Sequence, residues 1–443
     1  MDSAPKVCLV TSVSIPALRK GGSVADLRES NLSLVLQALS SGGALSRAEI
    51  AKQCGLGVTA LTSLVNELLL RRLVVESTEL VRPTIGRPTS LLEMDTGHWA
   101  VLGILCDRRT LAVATGGLDG AVTDIARFPV ARDGEGGFET YRPFLAQALT
   151  AALLRCRANG RVLAAVEVAV PGAVNRESGD VVRSVLNGWS RVALRDEIQG
   201  ILATVPRDVA AHGPGTGHVL VGVDRETNYS MLTHVYRGAT ARNLAYIGGR
   251  NALSGGLYSR SSIEHGASGL AGEFGHLVVD PEGARCWCGR QGCVETRLGL
   301  AHLYSVCTGL PEAESFHLLA DSHKTMLNDI LAGVAGGNPR HLQTLADAGR
   351  WLGIAIDTIA AVVNPDEIVV DGYLARLRPY LEPGTRSQLE TLGPLPSLSK
   401  LRITYGVGAE DGSLQGAVLA ARDTVIRRPA VASAIERRPG QDR

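Results

Sequence analysis

The sequence predicts an α/β protein in two parts: a small helical module closed by a β-hairpin, then a larger body in which strands and helices alternate. Three observations predict it. Apolar residues at helical spacing, with helix-capping signals, fill the chain to about residue 70. Apolar, β-branched runs separated by turn residues begin at Trp99. A length of 443 residues, with 45% hydrophobic and 20% charged side chains, is enough for two or three separate cores. The 45 basic and 44 acidic side chains balance to a net charge of +1, which excludes a globally basic binder but allows a small, locally basic module. No apolar run reaches the roughly 20 residues of a membrane helix, and the N-terminus lacks the order of a secretory signal. A cytoplasmic protein with no membrane partner is expected.

Residues 1–24 are expected to form a flexible leader. In "ADLRESNLSLVLQALSSGG", Leu32, Val35, Leu36 and Leu39 recur at helical spacing and Gly42–Gly43 ends the run. Next, "LSRAEIAKQCG" pairs Ser46 with Glu49 in a capping box and closes on Gly55. After a turn at Leu56–Gly57, "VTALTSLVNELLLRRL" sets Val58, Leu61, Val65 and Leu68 on one face. This is a helix-turn-helix. The hairpin pattern of "VVESTELVRPTIGRPTSLLEM" then makes residues 25–90 a winged helix-turn-helix, a DNA-binding domain. Arg47, Lys52, Arg71, Arg72, Arg82 and Arg87 outnumber the nearby acids. Along the second helix Thr59, Thr62, Ser63 and Asn66 suit phosphates or base edges, and no arginine is placed for guanine. Gly86–Arg87–Pro88 holds Arg87 extended, as insertion into a narrow minor groove requires, although the same tripeptide also serves as a linker with a solvated arginine.

In the body, "WAVLGILC", "TLAVATGGL" and "AVTDIARFPV" predict consecutive antiparallel strands. A helix over "FETYRPFLAQALTAALLRCRANG" and a buried strand in "VLAAVEVAVPGAV" complete a first α/β lobe over 91–205. The second lobe is expected over 206–410, with a helix, turn and strand in "DTIAAVVNPDEIVVDGYL" and another strand in "LRITYGV". A closing helix at 411–427 completes the first lobe, and 428–443 is expected to fray. Glycine interrupts every candidate element between about His212 and Ser259, so element boundaries there stay open.

The chemistry concentrates in "GEFGHLVVDPEGARCWCGRQGCVE", Gly272 to Glu295. Most of the eight cysteines sit singly in apolar contexts, whereas Cys286, Cys288 and Cys293 cluster around Gly289 and Gly292. In a reducing compartment such clusters serve as metal ligands rather than disulfides. The turn through "DPEGAR" brings back His276 as the fourth ligand, predicting one structural zinc per chain in a Cys3His shell. Glu273 and Glu295 flank it, with two roles open: accepting hydrogen bonds from ligand hydroxyls, or orienting the metal ligands.

The stretch "HGASGLAGEFGHLVVDPEGARCWCGRQGCVE" resembles the signature of the ROK family of repressors, open reading frames and sugar kinases. "LSRAEIAKQCGLGVTALTSLVNELLLRRLV" followed by "GRPTSLLEM" is similar to the repressor branch, and the resemblance runs from about Ala25 to Thr424. It implies an actin-like, ribonuclease H-like, two-lobed body of the sugar-kinase type. It also implies zinc on His276, Cys286, Cys288 and Cys293, and sugar contacts from Glu273, His276 and Glu295. Pro171–Gly172 and Gly188–Trp189 follow the family's pattern as well. The sequence departs from the kinases where they cradle ATP: "CDRRTLAV" and "IGGRNALSGGL" lack the run of glycines that closes on phosphates. The family's Asn-Asp pair is matched to "AAHGPGTGH", where no carboxylate stands to act as general base.

The function expected is therefore a sequence-specific, DNA-binding transcriptional regulator, a repressor by resemblance and without kinase activity. It would bind a palindromic operator as a homodimer or homotetramer, and a sugar-like ligand in the body cleft would control it. The alternatives are a sugar kinase with rearranged phosphate loops and a ligand-independent regulator.

Overall fold

The computed structural model describes residues 23–81, 89–131, 137–205, 219–238, 241–393 and 400–432. The chain forms two compact units, Met1–Asp224 with Leu414–Arg443, and Arg225–Ser413.

The first unit opens with α1 (Val24–Gly42), capped by a Ser23–Asp26 box. A short strand β1 (Leu45–Ser46) leads into α2 (Arg47–Cys54), which starts on the expected Ser46–Glu49 box and ends on Gly55 in the left-handed conformation. Helix α3 (Val58–Leu70) lies at 111° to α2, within the range of helix-turn-helix motifs. Strands β2 (Val74–Val81) and β3 (Thr89–Met94) pair antiparallel, and β1 adds to β3 to complete the wing. Leu32, Val35, Leu36, Leu39, Ile50, Leu61, Leu64, Val65 and Leu68 are buried. Val58, expected on that buried face, is 73% exposed. It opens α3 one turn ahead of the part that packs on the other helices, and Leu64 completes the apolar stripe instead.

Two hydrogen bonds anchor the end of α3 to the chain leading into the body. The Trp99 indole N–H donates to the Arg71 carbonyl at 3.1 Å, and the Asp95 N–H to the Leu73 carbonyl at 3.0 Å. Strands β4 (Trp99–Cys106), β5 (Thr110–Gly116) and β6 (Val122–Pro129) form the expected antiparallel meander. Helix α4 (Phe138–Ala158) then leads to β7 (Val162–Val170), parallel to β4. A small sheet of β8 (Ala173–Asn175), β9 (Asp180–Ser184) and β10 (Trp189–Val192) precedes α5 (Leu194–Thr204). Strand β11 (Leu220–Arg225) lies beside β7, giving the order β11-β7-β4-β5-β6. The break between units therefore falls after Asp224 and not at the expected 205/206, because this strand completes the first sheet.

The second unit resolves the glycine-rich stretch into α6 (Glu226–Tyr236), β12 (Asn243–Gly248), β13 (Ser254–Ser259) and β14 (Ser262–Ile263). After a long connection come α7 (Glu295–Leu298), α8 (Leu300–Thr308), α9 (Glu312–Ala335) and α10 (Pro339–Val363). Strand β15 (Glu367–Val370), α11 (Tyr373–Arg376), α12 (Arg378–Leu392) and β16 (Arg402–Tyr405) finish the unit. The sheet order is β14-β13-β12-β15-β16, with β15 parallel to both β12 and β16. Each five-stranded sheet thus places its own strands 3-2-1-4-5, antiparallel among the first three and parallel from the first to the fourth. This is the actin-like plan, present twice.

Helix α13 (Gly412–Arg427) returns to the first unit and buries Leu414, Ala417, Val418, Ala421 and Val425. It lies so close to the sheet that a β-carbon at Gly103 would meet the Leu414 carbonyl oxygen at 2.7 Å and the Val418 nitrogen at 2.9 Å. Residues 428–443 were expected to fray, but the start of this stretch is packed. Val431 and Ala432 are buried, and the Ala430 N–H donates to Glu29 Oε1 at 2.5 Å. Among the described residues no single helix is long and apolar enough to cross a membrane.

Candidate functional site

The metal-ligand cluster lies on the connection between β14 and α7. A 3-10 turn at Phe274–His276 presents His276. The chain then pairs with itself, Val278 bridging Cys293 and Arg285 bridging Gln291. Gly289 (φ +91°) and Gly292 (φ +73°) turn the intervening loop, and a side chain at Gly292 would strike the Asp280 carbonyl. The fold-back places one ligand atom each of His276, Cys286, Cys288 and Cys293 within 4.8 Å of the others. Cys288 Sγ lies 3.7 Å from Cys293 Sγ, and Cys286 Sγ lies 3.7 Å from His276 Nδ1. A tetrahedral centre with bonds of about 2.3 Å to sulfur spaces its ligand atoms about 3.8 Å apart. The donor set therefore fits a metal ion in both chemistry and dimensions.

The surroundings fix the ligands. Trp287 stands edge-on to the His276 ring, 4.7 Å between centroids, and Arg290 donates to the His276 carbonyl at 3.0 Å. Burial lowers the His276 pKa, keeping the imidazole neutral as ligation needs. Burial raises the Cys286 and Cys293 thiols, so thiolates here require a cation.

The two glutamates take different positions. Glu273 accepts from Arg225 Nη1 at 2.5 Å. Arg225 is only 2% exposed and also donates to Asn228 Oδ1 and to the Ala271 carbonyl. Glu295 is buried and accepts the Leu253 N–H at 2.7 Å. Burial, with the charges of Glu312 and Glu273, pushes its carboxyl up to about 8, leaving it a proton to donate at neutral pH. It lines a cavity of about 380 Å³ with Arg285, Trp287, His302, Glu312 and Phe316. The structure thus joins His276 to the cysteines, sets Glu273 on Arg225, and gives Glu295 to the cavity.

The stretch matched to the Asn-Asp pair, "AAHGPGTGH", lies outside the described residues. Arg225, the partner of Glu273, is followed in sequence by the carboxylate Glu226, where β11 turns into α6. Glu226 is buried and faces Arg250 Nη1 at 3.8 Å. Arg225 escaped sequence reading because its partner, Glu273, is 48 residues away in the chain.

At the helix-turn-helix, Thr59, Thr62, Ser63 and Asn66 are all exposed on α3. The Thr62 hydroxyl donates to the Val58 carbonyl at 2.9 Å. Ser63 Oγ accepts from Arg28 Nη2 at 3.2 Å, and Arg28 Nε binds Glu67 at 2.6 Å. Arg28, on α1, had no sequence signal. Arg47 pairs with Glu76 of the wing at 2.9 Å. Arg87 lies outside the described residues.

Residues 219–423 match the ROK family. The DNA-binding transcriptional dual regulator NagC of Escherichia coli (strain K12) is 24% identical over 373 residues, 84% of this chain and 87% of NagC. A glucokinase of Halalkalibacterium halodurans is 27% identical over 221 residues, 48% of this chain and 62% of the glucokinase. Among solved structures, a ROK family transcriptional regulator, a homologue of the E. coli Mlc protein, has a TM-score of 0.75 at 22% identity, covering 92% of this chain and 99% of that one.

Proposed function

We propose that this chain, a ROK family protein, is a DNA-binding transcriptional regulator that acts in the cytoplasm as a repressor without kinase activity. The observation that carries the reading is the capped α2–α3 pair with its wing, built in one chain ahead of the actin-like body. Similarity to NagC spans most of the chain, whereas similarity to the glucokinase covers less than half. Two copies on a two-fold axis would set two α3 helices in successive major grooves, so that the operator is palindromic and the protein a homodimer or homotetramer. Thr59, Thr62, Ser63 and Asn66 would face the groove, Arg47 the backbone, and Arg87 the adjacent minor groove.

The metal is zinc, held by His276, Cys286, Cys288 and Cys293, and its role is to brace the loop. Glu273, His276 and Glu295 form the contact set for a sugar-like ligand. Arg225 already holds one oxygen of Glu273, so such a ligand must either displace the guanidinium or bind beside it. Selection from a random duplex pool with the full-length protein tests the reading. A palindromic consensus is expected, and failure to retain any duplex at low salt would sink it.

A second reading, a sugar kinase, is favoured by one observation, the Glu226 carboxylate at the start of α6. Incubation with ATP and a panel of hexoses and amino sugars is expected to give no product. Turnover that disappears in Glu226→Gln would reverse the assignment.

A further inference from the structure

We propose that α3 selects A·T base pairs, through contact of Val58 with a thymine methyl group and pairing of the Asn66 amide with adenine. The inference rests on the DNA-binding reading and goes beyond it to the base-pair class read. Three observations carry it.

The first is that the helix itself carries no basic side chain. No arginine or lysine occurs between Val58 and Leu70, and the one acid, Glu67, is tied to Arg28 and Arg71. Guanine is most often read by a bidentate arginine or lysine, and this helix supplies neither.

The second is the exposed apolar group at the helix's leading end. Val58 is 73% exposed, in the first turn, next to exposed Thr59 and Ala60. A recognition helix contacts base edges with its N-terminal residues. Beyond them the Thr62 hydroxyl donates to the Val58 carbonyl and Ser63 Oγ accepts from Arg28. The apolar groups this end offers a base are methyls, from Val58, Thr59 and Ala60. In the major groove the matching feature is the C5-methyl of thymine, which no other base carries.

The third is Asn66, two turns further on and exposed, whose side chain has no hydrogen-bond partner among the described residues. A carboxamide matches the N6–H donor and N7 acceptor of adenine in one plane. Methyl contact and amide pairing thus select the same class of base pair, A·T, at separate positions about 12 Å apart along the helix.

The test replaces thymine by uracil, one position at a time, in a duplex selected by the full-length protein. Uracil lacks only the methyl, which projects into the major groove, so minor-groove contacts are untouched. The wild type is expected to lose about fourfold in affinity at one thymine per half-site, the effect of losing one buried methyl. Val58→Ala should bind about fourfold more weakly and be indifferent to uracil there. Asn66→Ala should lose roughly tenfold in discrimination at its own adenine, a few base pairs from the thymine read by Val58. Circular dichroism of both variants should match the wild type, since both side chains are exposed. A selected duplex bound equally with uracil at every position, or a consensus of G·C pairs under α3, would overturn this inference alone. A pool from which no duplex is retained would overturn it together with the DNA-binding reading.

Discussion

The two five-stranded sheets share one strand order and are used differently. In the first, the link from the third strand to the next helix is short, residues 130–137. In the second, the corresponding link runs through 264–294 and carries the whole His276, Cys286, Cys288 and Cys293 cluster. Strand β4 of the first sheet is buried along its whole length. The long link of the second buries only Phe274, Cys286, Cys293 and Val294 among its apolar residues, and leaves Leu270, Val278 and Trp287 more than a third exposed. Packing alone holds the first region. A loop with so small a core needs another source of order, and the zinc proposed for the thiolate-imidazole cluster would supply it. The same frame can therefore be a pure scaffold or a chemical site, depending on what is inserted after its third strand.

The largest expected effect tests that contrast directly. Chelation, or Cys293→Ser, should cost the second unit several kcal/mol. Hydrogen exchange should then quicken across Val278–Val294 while amides of β4 and β7 remain protected. Unchanged exchange in the loop would mean that it is held without metal. Next in size is Gly103→Val, which should cost about 3 kcal/mol by forcing α13 off the first sheet. An unshifted denaturation midpoint would show the contact to be loose, and the contrast between a packed and a metal-braced region would weaken. The smallest effect lies outside both sheets. Ser46→Ala should cost about 1 kcal/mol of module stability, measured by urea unfolding. Hydrogen bonds from the Ser46 backbone and side chain hold the Glu49 carboxyl below its usual range. Its contribution is thus present above about pH 4.5 and lost as the pH falls through the lowered value. A mutant whose deficit persists undiminished at low pH would separate the cap from that carboxylate.

Legibility in the sequence tracked the distance over which each feature is encoded. The metal cluster was readable because its ligands lie within one short segment, and the Ser46 box and the β4–β6 meander because capping and strand alternation are local. Glycines between His212 and Ser259 break every local pattern, so β12 emerged only from its pairing with the distant β15, and β13 from its pairing with β12. Val58 was misplaced because spacing identifies a stripe but not how far along the helix its partners reach. Arg225 and Glu226 carry no local signal at all. Arg225 acquires meaning only when the fold brings Glu273 against it.

The hydrogen bond from Ala430 to Glu29 and the seating of α13 on Gly103 bear on how the protein is born. In chain order the winged helix-turn-helix precedes α13 and Ala430, and the whole second unit lies between them. Until α13 arrives, α1 rests on α2, α3 and β3, and the α13 side of the first sheet stays open. The contacts of α13 and Ala430 can therefore form only after the second unit has been synthesised.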